Sequence, residues 1–507
     1  MLTRRELMSR GILATTIFQA SVSLPGLAAA AANTLPVRRS LGGMDLDHPD
    51  LEAWRDFVGI AKSKPESEPT NWISLANIHG DEVQFNRCAH DNWYFLPWHR
   101  GYLEMFERLV RSEMRYDGFA LPFWDWTFDR QIPPAYSDAT YNGKENPLYD
   151  PTRELAPTDS LSDESVGVEV MASIYAETDF EAFGTSRDPE QDSLDESWVT
   201  NGVGVSGILE ATPHNLVHAQ VGGTMRQPQT AQDPIFMMHH CNVDRVWAVW
   251  NAMGNANGTD PLWLDMVFRN NFVNTDGTAY SFAVRELLET EPLGYTYDLP
   301  SEASRLALSS LTSDARHRGD YAALFDDASD TARVSSARAE NTASARLLAP
   351  LDLPLQIASG EILAALGGAD TTSSSLPFVG TGQRPGAQKQ IVAILREIVP
   401  PEDTSSEYRV FVNCDYLSRD VPTSDPHYVG TLGFFGTSKM HGGHAGHGER
   451  KPPSFLINLT GTLQRLARIG QIRKDELVIQ IQPVPSENQP DKPVSPITPR
   501  AIEVAII

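Results

Sequence analysis

Two stretches of the chain carry apolar residues at helical spacing and place histidines among them. Pro97-Trp98-His99-Arg100 opens the first, with His99, Leu103, Phe106 and Val110 on one face and Glu104, Glu107, Arg108 and Arg111 largely off it. The second is Asp233 to Trp247, where Phe236, His240, Val243 and Trp247 recur at spacings of four, three and four. Asp233 suits the N-cap and Pro234 the first helical position. A further helix is expected from Thr212-Pro213, carrying His214 and His218. Residues 33 to about 130 are helical in pattern, whereas Gln131 to Gly207 reads as long surface loops with short helices. Residues 335–349 are rich in Ala, Ser and Arg, and 367–389, rich in Gly, Ser, Thr and Pro, read as a linker. After Gln390 the texture changes to short β-type runs between turn signals, as in Tyr408-Arg409-Val410-Phe411-Val412. The pattern predicts an α+β multidomain chain: a mainly α-helical domain followed by a small β-sandwich or barrel.

Length, charge and cysteine content narrow this picture. At 507 residues the chain exceeds one ordinary core. A net charge of −25 argues against nucleic acid or an anionic membrane as partner. Cys88, Cys241 and Cys414 are too scattered for a disulfide framework. Arg4-Arg5, an apolar run from Gly11 to Leu27 and the alanines Ala28 to Ala32 are expected to form a twin-arginine-type export signal, which carries folded, often cofactor-loaded proteins. No segment reaches membrane-spanning length. The expected organisation is therefore 1–32 signal, 33–366 helical domain, 367–389 linker and 390–507 β-rich domain, in an exported, periplasmic or secreted protein.

The histidines are the candidate chemistry. A buried imidazole needs a partner on each nitrogen, and a metal accounts best for several together. His214 and His218, at i and i+4, point from one helix face toward a common point. Another imidazole comes from the His239-His240 pair, between whose members periodicity does not choose. His79, His90 and His99 supply three more. Pro97 starts the helix just ahead of His99 and leaves His79 and His90 on the approach. Two three-histidine sites with open positions and no carboxylate suit copper or zinc. On facing helices of a bundle they suggest a dinuclear centre that binds a small molecule between its metals.

Phe95-Leu96-Pro97-Trp98-His99-Arg100 resembles the first copper-binding signature of the type-3 copper proteins, specifically the tyrosinase and polyphenol oxidase family. Asp233-Pro234-Ile235-Phe236, His239-His240 and Asn242-Val243-Asp244-Arg245 resemble the second. Trp263-Leu264-Asp265, Tyr295-Thr296-Tyr297 and the stretch from Tyr408 to Asn413 resemble plant-type polyphenol oxidases. The resemblance implies a four-helix-bundle domain holding two copper ions, one on His79, His90 and His99 and the other on His214, His218 and His240. His240 is chosen because the family's ligand is the second histidine of the pair, four after Phe236; His239 then lies behind it. Cys88, two before His90, implies the thioether crosslink known in fungal tyrosinases and molluscan oxygen carriers, a departure from the plant pattern. Glu210 and Asn215 fall where the family holds a water that takes the phenol proton. Pro228 lies near the position of the plant gate residue, and the absence of an aromatic there predicts open access.

In this family a C-terminal domain covers the copper site and keeps the enzyme latent. Gly433-Phe434-Phe435-Gly436 and Phe455 are the candidate plug, or alternatively sandwich core. His441 to His447 is a His/Gly tract suited to metal handling, with copper loading as one role. The resulting expectation is a latent pro-enzyme that uses O₂ to hydroxylate monophenols at the ortho position and to oxidise o-diphenols to o-quinones. A copper-delivery protein and an activating protease are its expected partners. A catechol oxidase without monophenolase activity and an oxygen-binding type-3 copper protein are the alternatives, with a dizinc hydrolase behind them for lack of a bridging carboxylate.

Overall fold

Four helical segments frame the core of the computed structural model, which describes residues 35–188, 190–201, 204–299, 332–340, 346–348, 356–357, 391–435, 451–471, 476–485 and 492–506. The expected signal (1–32), the linker (367–389) and the His441–His447 tract lie outside the described residues. Helix α1 (Pro49–Ser63) is capped by His48, whose Nδ1 accepts from Asp50 N at 3.2 Å. Its buried stripe includes Leu51, Trp54, Phe57, Val58 and Ala61. A single turn, α2 (Trp72–Ala76), is capped by Asn71. Helix α3 (Phe95–Met114) begins two residues ahead of Pro97, which sits in the first turn where no backbone N–H is needed. It stops at Arg115, which takes a left-handed conformation.

Glu210–His214 form a π-type turn broken by the extended Thr212, and α4 (Asn215–Val221) follows. The predicted helix from Thr212-Pro213 therefore starts slightly later. Helix α5 (Ile235–Ala252) also starts one residue late, with Asp233 Oδ1 accepting from Ile235 N at 3.0 Å. Asp233 is itself clamped by Arg153 at 2.6 and 2.8 Å, a buried pair.

The reading of residues 131–207 as surface loops is corrected in part. Phe180, Phe183, Thr185, Ser186 and Val205 are buried. Side chains meet the backbone there in place of regular ladders, as in Val205 N to Ser186 Oγ at 2.9 Å. Loop composition reports irregular backbone, not exposure.

The β-rich part has two sheets. One has the order Phe455–Asn458, Ile391–Arg396, Ala501–Ile506, antiparallel throughout. The other runs Tyr428–Leu432, Glu407–Val412, Glu476–Val484, Ala332–Glu340, Arg346–Leu348, with Gln356–Ile357 also on Ala332–Glu340. This sheet thus draws strands from both sides of the expected linker. Ile391, Ala393, Leu395, Tyr408, Val410, Ile457, Ile479 and Ile481 fill the space between the sheets. The chain is an α+β fold, a helical core beside a β-sandwich. Among the described residues no helix is long and apolar enough to cross a membrane.

Candidate metal centre

His79 follows α2, His90 lies on the loop before α3, and His99 sits in the first turns of α3. Their ring centroids are 5.1 to 5.6 Å apart. His214 closes the π-type turn, His218 lies on α4 and His240 on α5, with centroids 4.7 to 5.5 Å apart. The two groups face each other: His99 stacks on His240 at 4.3 Å, and His90 lies 5.8 Å from His214. All six imidazoles are buried.

Most of these rings are oriented by a contact at Nδ1. His79 reaches Pro228 O at 3.1 Å, His99 reaches Phe95 O at 2.7 Å, and His218 reaches Met225 O at 2.8 Å. His214 Nδ1 meets Asn215 Oδ1 at 2.9 Å, and His90 Nδ1 lies 3.3 Å from Cys88 Sγ. A carbonyl only accepts, so Nδ1 carries the proton in the three rings it orients, and the lone pair sits on Nε2. The Nε2 atoms of His79, His99 and His214 are buried without a hydrogen-bond partner, and His218 Nε2 lies 3.4 Å from His240 Nε2. Burial lowers the pKa of His79, His214, His218 and His240 well below the ordinary value, and takes His99 to about 3. His79, His99 and His218 are thus neutral imidazoles whose lone pair sits on Nε2, the kind of donor copper takes.

His239 separates from the others by chemistry. One nitrogen of each of His214, His218, His239 and His240 lies within 4.8 Å of the rest, so proximity alone would admit all four. Trp126 Nε1 donates to His239 Nδ1 at 3.0 Å, and an indole can only donate. The neutral His239 ring must then carry its proton on Nε2, which removes it as a ligand there.

A buried strut sets the spacing of the two groups. Arg100, next to His99, pairs with Asp244, one turn beyond His240, at 2.5 Å. Asp244 also takes Arg38 at 3.0 Å, Tyr295 at 2.8 Å and Tyr297 at 2.6 Å. Burial pushes the Asp244 carboxyl up, but Arg100 and Arg38 outweigh it and leave it below the ordinary value.

A small cavity beside the histidines is lined by His90, Asp91, Glu210, Asn215, Phe434, Phe435, Pro453 and Phe455. Glu210 Oε1 accepts from Asp91 N at 2.9 Å, and Oε2 meets the Thr185 hydroxyl. Asn215 Nδ2 donates to Gly433 O at 3.2 Å. Phe435 stacks on His218 at 3.9 Å and lies 5.3 Å from His90 and 5.7 Å from His214. Phe434 and Phe455 instead pack edge to face in the sandwich core, closing the cavity from behind. Pro228 contributes its carbonyl to His79 and does not line this cavity. Of the three phenylalanines considered as a plug, Phe435 is the one that lies against the second histidine group.

Thr185, Asp91 and Trp126 were not singled out from the sequence. Thr185 falls in the stretch read as exposed loop, and no periodicity marks any of the three.

Residues 69–253 match the family model of the common central domain of tyrosinase. A tyrosinase from Hahella sp. (strain CCB-MM4) is 26% identical over 487 residues, covering 87% of this chain and 94% of that protein. A chloroplastic polyphenol oxidase of Malus domestica is 28% identical over 305 residues, and the match covers 50% of this chain and 48% of the relative. In structure the chain is similar to latent apple tyrosinase, with a TM-score of 0.61 at 19% identity, covering 97% of this chain and 100% of that one. It is also similar to a latent aurone synthase from natural source, at 0.60 and 18%, covering 93% and 89%. The central part of the chain, residues 69–253, thus matches the common central domain of tyrosinase, a type-3 copper domain that binds two copper ions, and the two histidine groups within it are positioned for such a pair.

Proposed function

We propose that the protein is an exported, latent tyrosinase that hydroxylates monophenols and oxidises o-diphenols to o-quinones. His79, His90 and His99 would hold one copper and His214, His218 and His240 the other. The observation that carries the reading is the meeting of inward-facing, neutral imidazoles from two separated parts of the chain. When bound, the copper pair supplies dioxygen activation and two-electron chemistry. The chain supplies the rest. A phenol has a pKa of about 10, so at neutral pH it needs a positioned base. Glu210 and Asn215 line the cavity beside His90 and would hold the water that takes this proton. The buried surroundings exclude competing solvent.

Latency is assigned to Phe435. Its ring covers His218, where a substrate ring would otherwise approach. Gly433 makes that seat possible, since a Cβ there would lie 2.5 Å from Leu216 Cδ2. The domain division, with a protease removing the β-rich part, belongs to the same proposal, as do the export signal and a copper-delivery partner. Cys88 is proposed to form a thioether with His90, locking a loop-borne ligand. That step removes two electrons and two protons, taken up by dioxygen, and leaves the chain lighter by two hydrogen atoms in a mass spectrum.

The test is copper quantification on the purified chain, followed by turnover of tyrosine and of its catechol counterpart in the full-length Phe435→Ala variant. Two ions per chain and activity on both phenols are expected. Activity on the catechol alone would leave a catechol oxidase, and reversible O₂ uptake without turnover an oxygen carrier.

A further inference from the structure

Glu210 is gripped by two loops that share no helix with it. From one side Asp91 donates its backbone N–H to Oε1 at 2.9 Å. Asp91 is in the left-handed region at φ 55°, which turns that N–H toward Glu210. The conformation is held by Gly204 N on Asp91 O at 2.5 Å and by Ser206 Oγ on Asp91 Oδ1 at 2.7 Å. From the other side comes Thr185, 2% exposed, whose hydroxyl meets both the Gly184 carbonyl and Glu210 Oε2. The hydroxyl has one proton to give. Of the two acceptors the carboxylate is the stronger, so the hydroxyl proton belongs to Glu210. Thr185 and Ser206 are themselves bridged through their backbones, so the two loops form one frame.

We infer that Thr185 is a positioning residue for the proton-handling carboxylate. With the Asp91 N–H it engages one lone-pair site on each oxygen of Glu210. Glu210 lines the cavity together with Asn215. Losing the Thr185 donor removes the restraint on Oε2 and loosens the last torsion of Glu210, which is broad and weakly restrained in itself. Proton transfer needs a fixed acceptor within hydrogen-bond reach, so a rotating carboxylate slows the step that requires deprotonation and spares the step that does not. This inference rests on the role given to Glu210 above.

The test uses the full-length chain with Phe435→Ala, to which Thr185→Val, Thr185→Ser and Glu210→Gln are added singly. Thr185→Val keeps the shape and removes the donor. Its kcat on a monophenol is expected to fall about tenfold, with diphenol turnover and copper content retained and Thr185→Ser restoring the rate. Independently of turnover, infrared spectra of the copper-free proteins should show a carboxylate band that disappears in Glu210→Gln, shifts in Thr185→Val and returns in Thr185→Ser. An unmoved band, or an equal loss on both substrates, would overturn the positioning role while Glu210→Gln still lost monophenol turnover. If Glu210→Gln itself left the monophenol-to-diphenol ratio unchanged, the reading of Glu210 as proton acceptor would fall first.

Discussion

The two histidine groups are built by opposite means. The first takes His79 and His90 from connecting segments and only His99 from a helix, so two of its rings are fixed by contacts outside regular structure, Pro228 O and Cys88 Sγ, and the third by Phe95 O at the start of its own helix. The second takes all three from a π-type turn and two helices, so backbone geometry already aims them, and it is this group that Phe435 covers. A group made of loops needs locks, and a group made of helices can, on the function proposed above, serve as the face where access is controlled. The cover contributes to the second group's surroundings twice, through Phe435 on His218 and Gly433 O on Asn215.

The largest effect should separate ligand from neighbour within the second group. His240→Ala is expected to lose the second copper and all turnover, while His239→Gln, at a ring already committed to Trp126, keeps both ions. Metal analysis beside activity checks this, and equal copper loss in both variants would defeat the tautomer argument.

Next comes the strut between the groups. Asp244→Asn leaves Arg100 and Arg38 buried without their counter-charge and should cost about 3 kcal/mol or more. Because the folded carboxyl sits below its ordinary value, its contribution is complete above about pH 4 and is lost as pH falls further. The melting-temperature gap between wild type and variant should therefore be full at neutral pH and close only in acid. A gap independent of pH would sink the ionic account.

Opening the second group is a smaller change. Removing the Phe435 ring forfeits a buried aromatic worth about 2 kcal/mol, which corresponds to about thirtyfold more open form and faster full-length turnover. Unchanged latency would move the plug elsewhere. The smallest effect belongs to the first group's lock: Cys88→Ala should weaken that copper about tenfold in chelator competition and leave the other ion alone. Equal weakening of both would erase the contrast between the groups.

Much of the centre was legible because its devices are local. His214 and His218 share a helix face at i and i+4, and Pro97 marks the start of the helix that carries His99. Those spacings are consequences of 3.6 residues per turn and hold wherever the helix packs. Legibility stopped where partners are remote in sequence. Nothing near Thr185 announces Glu210, and loop composition concealed that Thr185 is buried. Likewise Phe434, Phe435 and Phe455 look alike along the chain, and only packing sends one of them to His218 and the others into the sandwich.

Local pattern was thus enough to establish a helical part, a β-rich part and two sets of imidazoles, because periodicity and helix-start signals act over a few residues. Folding settled which nitrogen of His79 and of His239 carries the proton, how near His99 comes to His240, and which phenylalanine lies on His218. Those outcomes depend on contacts between segments tens to hundreds of residues apart, and such contacts follow from packing, which no short stretch of sequence encodes.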